Sequence, residues 1–165
     1  MKEIHDYAVI GAAGEHLVLS RLLSKGIVAA KVPERTAKVD IVVHRSRPTG
    51  ELDVAAAIQV KTRTRGADGG WHMKAHHEKW SSPWLFYAFV DFQPEHPVVY
   101  LIPSRKVATI IQREHALWLA RPGKKGQAHN DSVMRRIKPK YPQPVPGASD
   151  GWMEKYREAW DQLTK

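Results

Sequence analysis

The sequence predicts an α/β fold in which a central mixed β-sheet is flanked by helices. Two patterns along the chain indicate this class. Segments with apolar residues at helical spacing alternate with short β-branched or aromatic runs that are typical of strands. The chain has 165 residues and no cysteine, so the core must hold without disulfides, and this length suits one domain.

The first helix is predicted over residues 8–25, ending before Gly26. At 3.6 residues per turn its apolar residues fall on one arc, and Glu15 lies near the middle of that arc. A carboxylate there either reaches water or a lysine at the rim, or is directed toward a polar site, because buried charges need compensation. The apolar arc contains Gly11, Ala12, Val18, Leu19, Leu22 and Leu23.

Two strands follow the helix, over residues 39–43 and 54–62. Their β-branched and aliphatic residues alternate, so one face of each strand is apolar. The opposite face carries Asp40 on the first strand, and Gln59 and Lys61 on the second. Each polar residue taken singly is compatible with a solvent-facing edge position.

The segment Pro48-Thr49-Gly50 between these strands is a strong turn signal. A hairpin folded about Thr49-Gly50 places Asp40 opposite Gln59, although a β-bulge would shift this register by one residue. An acid, an amide and an amine then share one patch, to which Glu15 adds a second acid. Such a set is suited to holding a divalent cation against a phosphodiester.

The second half of the chain predicts two more strands, at residues 85–91 and 98–102, whose aromatic residues are expected in the core. Residues 71–80 are expected to cap the sheet as an irregular or helical segment. A helix is predicted from Ser104 to about Leu119. Its inward side chains are expected to be Val107, Ile110, Ile111 and either Leu117 or Trp118.

The domain boundary is placed at residue 140. Residues 1–140 are expected to form the α/β domain, and residues 141–165 a proline-rich connector followed by a C-terminal helix that begins near Asp150. That helix is expected to pack on the same domain or on a second subunit, which leaves a homodimer open. Its apolar stripe consists of Trp152, Tyr156, Trp160 and Leu163.

The composition favours a polyanionic partner. Lysine and arginine number 26 against 17 acidic residues, which gives a net charge of +9, and binding is expected to depend strongly on salt. No apolar signal core and no run of membrane-spanning length are present in the sequence. We therefore expect a cytoplasmic protein without a membrane partner.

The order of the polar residues resembles that of the PD-(D/E)xK nuclease superfamily. A helix glutamate, then Val39-Asp40, then Ile58-Gln59-Val60-Lys61 is most similar to its Holliday-junction-resolvase-like and intron-endonuclease-like members. The resemblance implies a restriction-endonuclease-like fold for the α/β domain and endonuclease activity on DNA, dependent on Mg²⁺ or Mn²⁺. RNA is not excluded as a substrate. Val39 replaces the proline of the motif, and Gln59 stands where most members carry an acid.

The resemblance also implies a role for each residue. Asp40, the Gln59 side-chain oxygen and the Val60 carbonyl would bind the metal, and Lys61 would orient the attacking water or stabilise the transition state. Glu15 would act on a metal-bound water or ligate a second metal. Because an amide carries less charge than a carboxylate, the alternative is a nucleic-acid-binding module of the same fold with weak or no cleavage.

Basic residues outside this motif are expected to contact the nucleic-acid backbone, with a merely solvated surface as the alternative. They come from the glycine-rich loop after the Lys61 strand, from the capping segment and from the basic run at residues 121–140. The candidates are Arg63, Arg65, Lys74, Lys124, Lys125, Arg135 and Arg136.

Overall fold

The computed structural model describes residues 7–33, 38–46, 48–64 and 69–164. The fold is mixed α/β, as predicted. The helices are α1 (Tyr7–Ser24) and α2 (Ser104–Ala120). The strands are β1 (Ala29–Lys31), β2 (Ile41–Ser46), β3 (Leu52–Arg63), β4 (Trp71–Lys74), β5 (Leu85–Asp91), β6 (Val98–Pro103) and β7 (Met134–Ile137).

The central sheet has five strands in the order β1-β2-β3-β5-β6. Strands β3 and β5 run parallel, whereas the other neighbours are antiparallel, so the sheet is mixed. In the hairpin of β2 and β3, Ile41 lies opposite Ile58, which is the predicted register. A β-bulge occurs at Val43 and His44, on the turn side of this pair, so the pairs nearer the turn are shifted by one residue.

The central sheet separates two apolar cores. Helix α1 covers one face, where Val18 and Leu22 pack with residues of β2 and β3, chiefly Ile41, Ile58 and Val60. Helix α2 covers the other face together with the strands β4 and β7. The α2 residues predicted to point inward are confirmed, since Val107, Ile110 and Ile111 are all fully buried.

The strands β4 and β7 were not expected. They form a separate two-stranded antiparallel sheet in which Trp71 lies opposite Ile137 and both side chains are buried. Strand β4 is followed by a 3₁₀ turn at Ala75–Lys79. The capping segment and the basic run are therefore joined to each other by this small sheet.

The predicted C-terminal helix is wrong. Two 3₁₀ turns, Glu154–Tyr156 and Trp160–Leu163, are separated by three residues, of which Arg157 bridges to Tyr100 of β6. Trp152 lies in the core under α2, whereas Trp160 and Leu163 lie in the core under α1. This segment covers the edge strand β6 of its own sheet.

Among the described residues, neither helix combines the length and the apolar character that spanning a bilayer requires.

Candidate active site

Asp40 lies where the pairing between β2 and β3 ends. Its amide donates to the Ile58 carbonyl at 2.9 Å, and its carbonyl accepts from the Val32 amide at 3.0 Å. Its Oδ2 atom accepts the Val60 N–H at 2.7 Å. Strand β3 continues beyond its β2 partner, and the Asp40 side chain supplies the acceptor that a longer β2 would have provided.

Gln59 and Lys61 lie on the same sheet face as Asp40. Ile58 and Val60 face the α1 core, so by alternation Gln59 and Lys61 face the opposite way. There they neighbour Tyr87 and Phe89 of the adjacent strand β5. The opposite charges of Asp40 and Lys61 are close enough to act on each other's pKa. The structure thus brings together the three residues that the hairpin pattern predicted.

The Gln59 side chain has an unsatisfied acceptor. Its Oε1 atom is buried and has no hydrogen-bond partner. A buried carbonyl oxygen without a donor is rare, because it loses hydration without replacement. This oxygen is therefore available to a ligand that brings its own positive charge or donor.

The Val60 carbonyl is directed toward the same region. In a strand, the N–H and C=O groups of one residue point to the same side. Since the Val60 N–H reaches Asp40, its carbonyl also points toward the Asp40 side of β3.

Burial and neighbouring charges have opposing effects on the pKa values of Asp40 and Lys61. Burial raises the pKa of the Asp40 carboxyl, and the Glu15 charge raises it further, while the Val60 hydrogen bond and the charges of Lys61 and Lys31 lower it. Burial lowers the pKa of Lys61, and Asp40 counteracts this effect. Neither charge is fully compensated, and an added cation next to Asp40 would stabilise its ionised form.

Glu15 is held close to the patch by α1. Gly14 packs against Thr62 of β3, and a side chain at position 14 would overlap the Thr62 hydroxyl. The helix therefore lies directly on the strand. Helix α1 covers the face opposite Gln59 and Lys61. The Glu15 charge therefore raises the pKa of Asp40 from the helix side of the sheet. Its Oε2 pairs with Lys31 Nζ at 2.8 Å, so the sequence-based alternative of a lysine partner for Glu15 is confirmed.

The donor set fits a hard divalent cation. Asp40, the Gln59 amide oxygen and the Val60 carbonyl are all oxygen ligands, which suit Mg²⁺ and Mn²⁺. The described part of the chain contains no group of three or more histidine, aspartate or glutamate residues placed to hold a metal. A cation here would depend on the amide and the backbone as well as on one carboxylate.

Two of the predicted phosphate-binding arginines are engaged within the protein. Arg63 donates to Asp91 at 2.5 Å and lies over the Trp71 ring, 4.0 Å from its centroid. Arg135 is buried, pairs with Glu78, and donates to the Ser132 carbonyl at 2.5 Å. Both side chains are less than a tenth exposed. Each of these two arginines joins elements of the fold, although the Nε and Nη1 atoms of Arg63 are buried without a hydrogen-bond partner. Their contact with the nucleic-acid backbone stays a prediction.

The remaining basic candidates differ in exposure. Lys74, Lys124 and Lys125 are exposed, and Arg136 is half-buried. Arg136 shares a face of the small sheet with exposed His72, since the two are opposed in the β4–β7 pairing. Arg65 lies outside the described residues.

Sequence patterns missed the aromatic residues beside the patch. His77 is buried, and burial lowers its pKa to about 4, so it is neutral at pH 7. Its ring contacts the rings of His76, Trp80 and Tyr87. The available signal was the density of histidine and tryptophan in residues 71–80, which a capping segment does not require.

No family model matches the chain, and no curated protein matches it in sequence. Among solved structures, the chain is similar to a bacterial homing endonuclease, I-Ssp6803I, with 16% sequence identity and a TM-score of 0.46. The overlap covers 93% of this chain and 88% of the endonuclease. At this level of similarity the overlap is no evidence about the activity of this chain.

Proposed function

We propose that this chain is an endonuclease that hydrolyses DNA phosphodiesters with the help of Mg²⁺ or Mn²⁺. The observation that carries the proposal is the buried, unpartnered Oε1 of Gln59 beside Asp40, on the face that also carries Lys61. Asp40, Gln59 and the Val60 carbonyl would hold the cation. When bound, such a cation activates a water nucleophile and neutralises charge on the scissile phosphate.

Lys61 has the second role in this proposal. Its ammonium lies close to Asp40 and is half-buried, so its position is set by strand β3 and not by a long flexible loop. A fixed positive charge in a partly dehydrated site stabilises the extra negative charge of the transition state. Lys61 would orient the attacking water or contact the phosphate oxygens directly.

Glu15 has a supporting role. Its carboxylate pairs with Lys31 and raises the pKa of Asp40. It would become a ligand or base only after exchanging Lys31 for a metal-bound water, so we place it second to Asp40 and Lys61. The exposed residues Lys74, Lys124 and Lys125, with Arg136, would contribute phosphate contacts that do not depend on sequence.

The second candidate is a DNA-binding module of the same fold without cleavage. Two observations favour it: the amide at position 59, which carries no charge, and the engagement of Glu15 by Lys31. Both reduce the negative charge available to a cation.

A cleavage assay separates these two functions. Labelled branched, single-stranded and duplex DNA would be incubated with the protein in Mg²⁺ or Mn²⁺. We expect cleavage by the wild type, its loss in Asp40→Ala, and a decrease of roughly 10²–10³ in rate in Lys61→Ala, as for other fixed electrostatic contacts. Lys155→Ala, an exposed lysine of the C-terminal segment, is the matched control and should cleave normally.

Two results would contradict the proposed cleavage at Asp40. A wild type that binds DNA but cleaves none of these substrates in either metal would establish the binding module. Cleavage that survives Asp40→Ala would place the active site elsewhere.

A further inference from the structure

A group of aromatic rings lies beside the candidate site and has no part in the hydrolysis. It consists of His76, His77 and Trp80, and we call it the aromatic cluster. The ring centroid of Trp80 lies 4.5 Å from that of His76 and 4.7 Å from that of His77. The two histidine rings are 4.2 Å apart. The three rings are tilted against one another by 32° to 60° and form one compact group at the end of β4.

The cluster stands on the same sheet face as Gln59 and Lys61. His77 packs against Tyr87, with 5.9 Å between ring centroids. Tyr87 lies next to Gln59 in the pairing of β3 with β5. One buried tyrosine therefore separates the aromatic cluster from the residue proposed to hold the cation.

The inner part of the cluster is fixed. The His77 Nδ1 accepts the Lys74 N–H at 3.0 Å, and the His77 side chain is buried. His76, in contrast, is exposed, and Trp80 is half-buried. The outer rings therefore present aromatic surface to solvent on a rigid support.

Lysines surround this aromatic surface. Lys38 Nζ lies 5.0 Å from the centroid of the Trp80 ring. The partial loss of hydration at this exposed side chain lowers the pKa of His76, and the positive charges of Lys74, Lys61 and Lys38 lower it further. All three lysines are thus within electrostatic range of the aromatic cluster.

The backbone conformation of Lys38 is consistent with a binding site at the aromatic cluster. Lys38 has a φ of 72°, in the left-handed region that residues other than glycine rarely adopt. This conformation lies two residues before Asp40 and accompanies the placement of the Lys38 ammonium over Trp80. Strain of this kind is found where a binding site needs a particular geometry.

Aromatic rings interleaved with cations match one class of ligand. Unpaired nucleobases stack on aromatic side chains, and neighbouring lysines contact the phosphates. Bases inside a duplex already stack on one another and offer no free face to a protein ring. The shape and charge of the cluster therefore suit a single-stranded nucleotide better than a base pair.

We propose that Trp80 and His76 form a stacking site for an unpaired DNA base, with Lys38 and Lys74 contacting the adjacent phosphates. The preferred substrate is then DNA with an unpaired nucleotide next to the scissile phosphodiester. The cleavage part of this statement rests on the proposed function, whereas the base-binding part does not.

The test measures binding without cleavage. Fluorescence anisotropy would compare a labelled single strand of about 12 nucleotides, within the site sizes of single-strand binders, with the matching duplex in EDTA. We expect Trp80→Ala to weaken single-strand binding about tenfold, as the loss of one stacking contact does, and to leave duplex affinity unchanged. Trp80→Phe keeps an aromatic ring and should retain most of the affinity.

Trp84 provides the matched control. It is an exposed tryptophan only a few residues away, 52% exposed, and Trp84→Ala should bind both DNAs as the wild type does. If thermal melting shows that Trp80→Ala is unfolded, the exposed His76→Ala carries the same test, with a selective loss for the single strand.

Two results would overturn the stacking site. One is an equal loss of affinity for single strand and duplex in folded Trp80→Ala, and the other is no loss for either. Because EDTA removes the metal, this outcome is independent of catalysis. A protein that stacks bases through Trp80 but cleaves nothing overturns only the proposed function, whereas cleavage by Trp80→Ala that keeps the wild-type preference for an unpaired nucleotide overturns only the stacking site.

Discussion

Two sets of charged side chains in this molecule have opposite surroundings. Arg135 of the small sheet is enclosed by Glu78, by the Ser132 carbonyl at 2.5 Å and by the Met134 carbonyl at 2.9 Å. Asp40 has one backbone donor, and its neighbour Gln59 has a buried oxygen with none. The first set completes its own interactions, whereas the second leaves capacity for a ligand.

This difference shows that burial alone does not reveal the role of a charged side chain. Both sets hold side chains that are at least half-buried, and both carry basic residues in a chain of net charge +9. Only the partners distinguish a side chain that holds the fold together from one that is available for chemistry. The measurements below test whether the two sets differ in this way.

The largest expected effect on stability is at Arg135. Arg135→Met would leave the Glu78 carboxylate without its partner, and breaking a buried ion pair from one side costs about 3–5 kcal/mol of unfolding free energy. Urea unfolding followed by circular dichroism measures this loss. The control is Arg136→Met on the same strand, for which we expect a loss below about 1 kcal/mol because the side chain is only half-buried.

Equal losses in the two variants would contradict the comparison. Arg135 would then belong with the solvated basic residues, and the buried contacts with Glu78 and the Ser132 carbonyl would have no energetic significance.

At Asp40 we expect a smaller change in the unfolding free energy, in the opposite direction, because removing the charge should stabilise the protein. Its pKa is raised in the folded protein, chiefly by burial and also by Glu15. The folded state therefore favours the protonated carboxyl. The stability from this preference is fully present below the ordinary pKa of 3.8 and is lost as the pH rises through the raised value. Asp40→Asn is neutral at every pH and should increase the unfolding free energy at pH 7.

Asp131 supplies the matched control for this measurement. The hydrogen bond from His115 is the main cause that lowers its pKa, so its ionised form stabilises the fold at neutral pH. Asp131→Asn should therefore decrease stability at pH 7, and the effect should disappear as the pH falls through the lowered pKa. If both substitutions shift the unfolding free energy in the same direction at pH 7, Asp40 is an ordinary paired carboxylate.

The sequence predicts those parts of the fold that have strong local patterns. Strand β5 is recovered at its observed bounds, because a continuous apolar run suits a strand buried on both faces. The register predicted from the turn at Thr49-Gly50 is found at the Asp40 end of β2 and β3, beyond the bulge at Val43 and His44. The core of the candidate site is predictable for the same reason.

The parts that the sequence does not predict depend on tertiary contacts. Strands β4 and β7 are four residues each, and each exists only through pairing with the other. The C-terminal stripe has helical spacing, but Glu158 has a φ of 50° and its amide donates to the Val99 carbonyl at 2.9 Å. The edge of β6 thus takes hydrogen bonds that a helix would have kept.

The partners of individual charges are equally invisible in the sequence. Lys31 is far from Glu15 along the chain, and Glu78 is far from Arg135, so no local pattern indicates either pairing. The same limit applies to the aromatic cluster, whose position beside Gln59 requires the parallel pairing of β3 with β5.

Calorimetric titration with Mn²⁺ tests the central claim most directly, because it measures whether Asp40 and the unpartnered Gln59 oxygen hold a cation. We expect the wild type to bind Mn²⁺, Asp40→Ala to lose this binding, and Gln59→Glu to bind more tightly, since a carboxylate adds charge at the same position. Binding that is absent from the wild type and from Gln59→Glu, or that is unaffected in Asp40→Ala, would contradict the account.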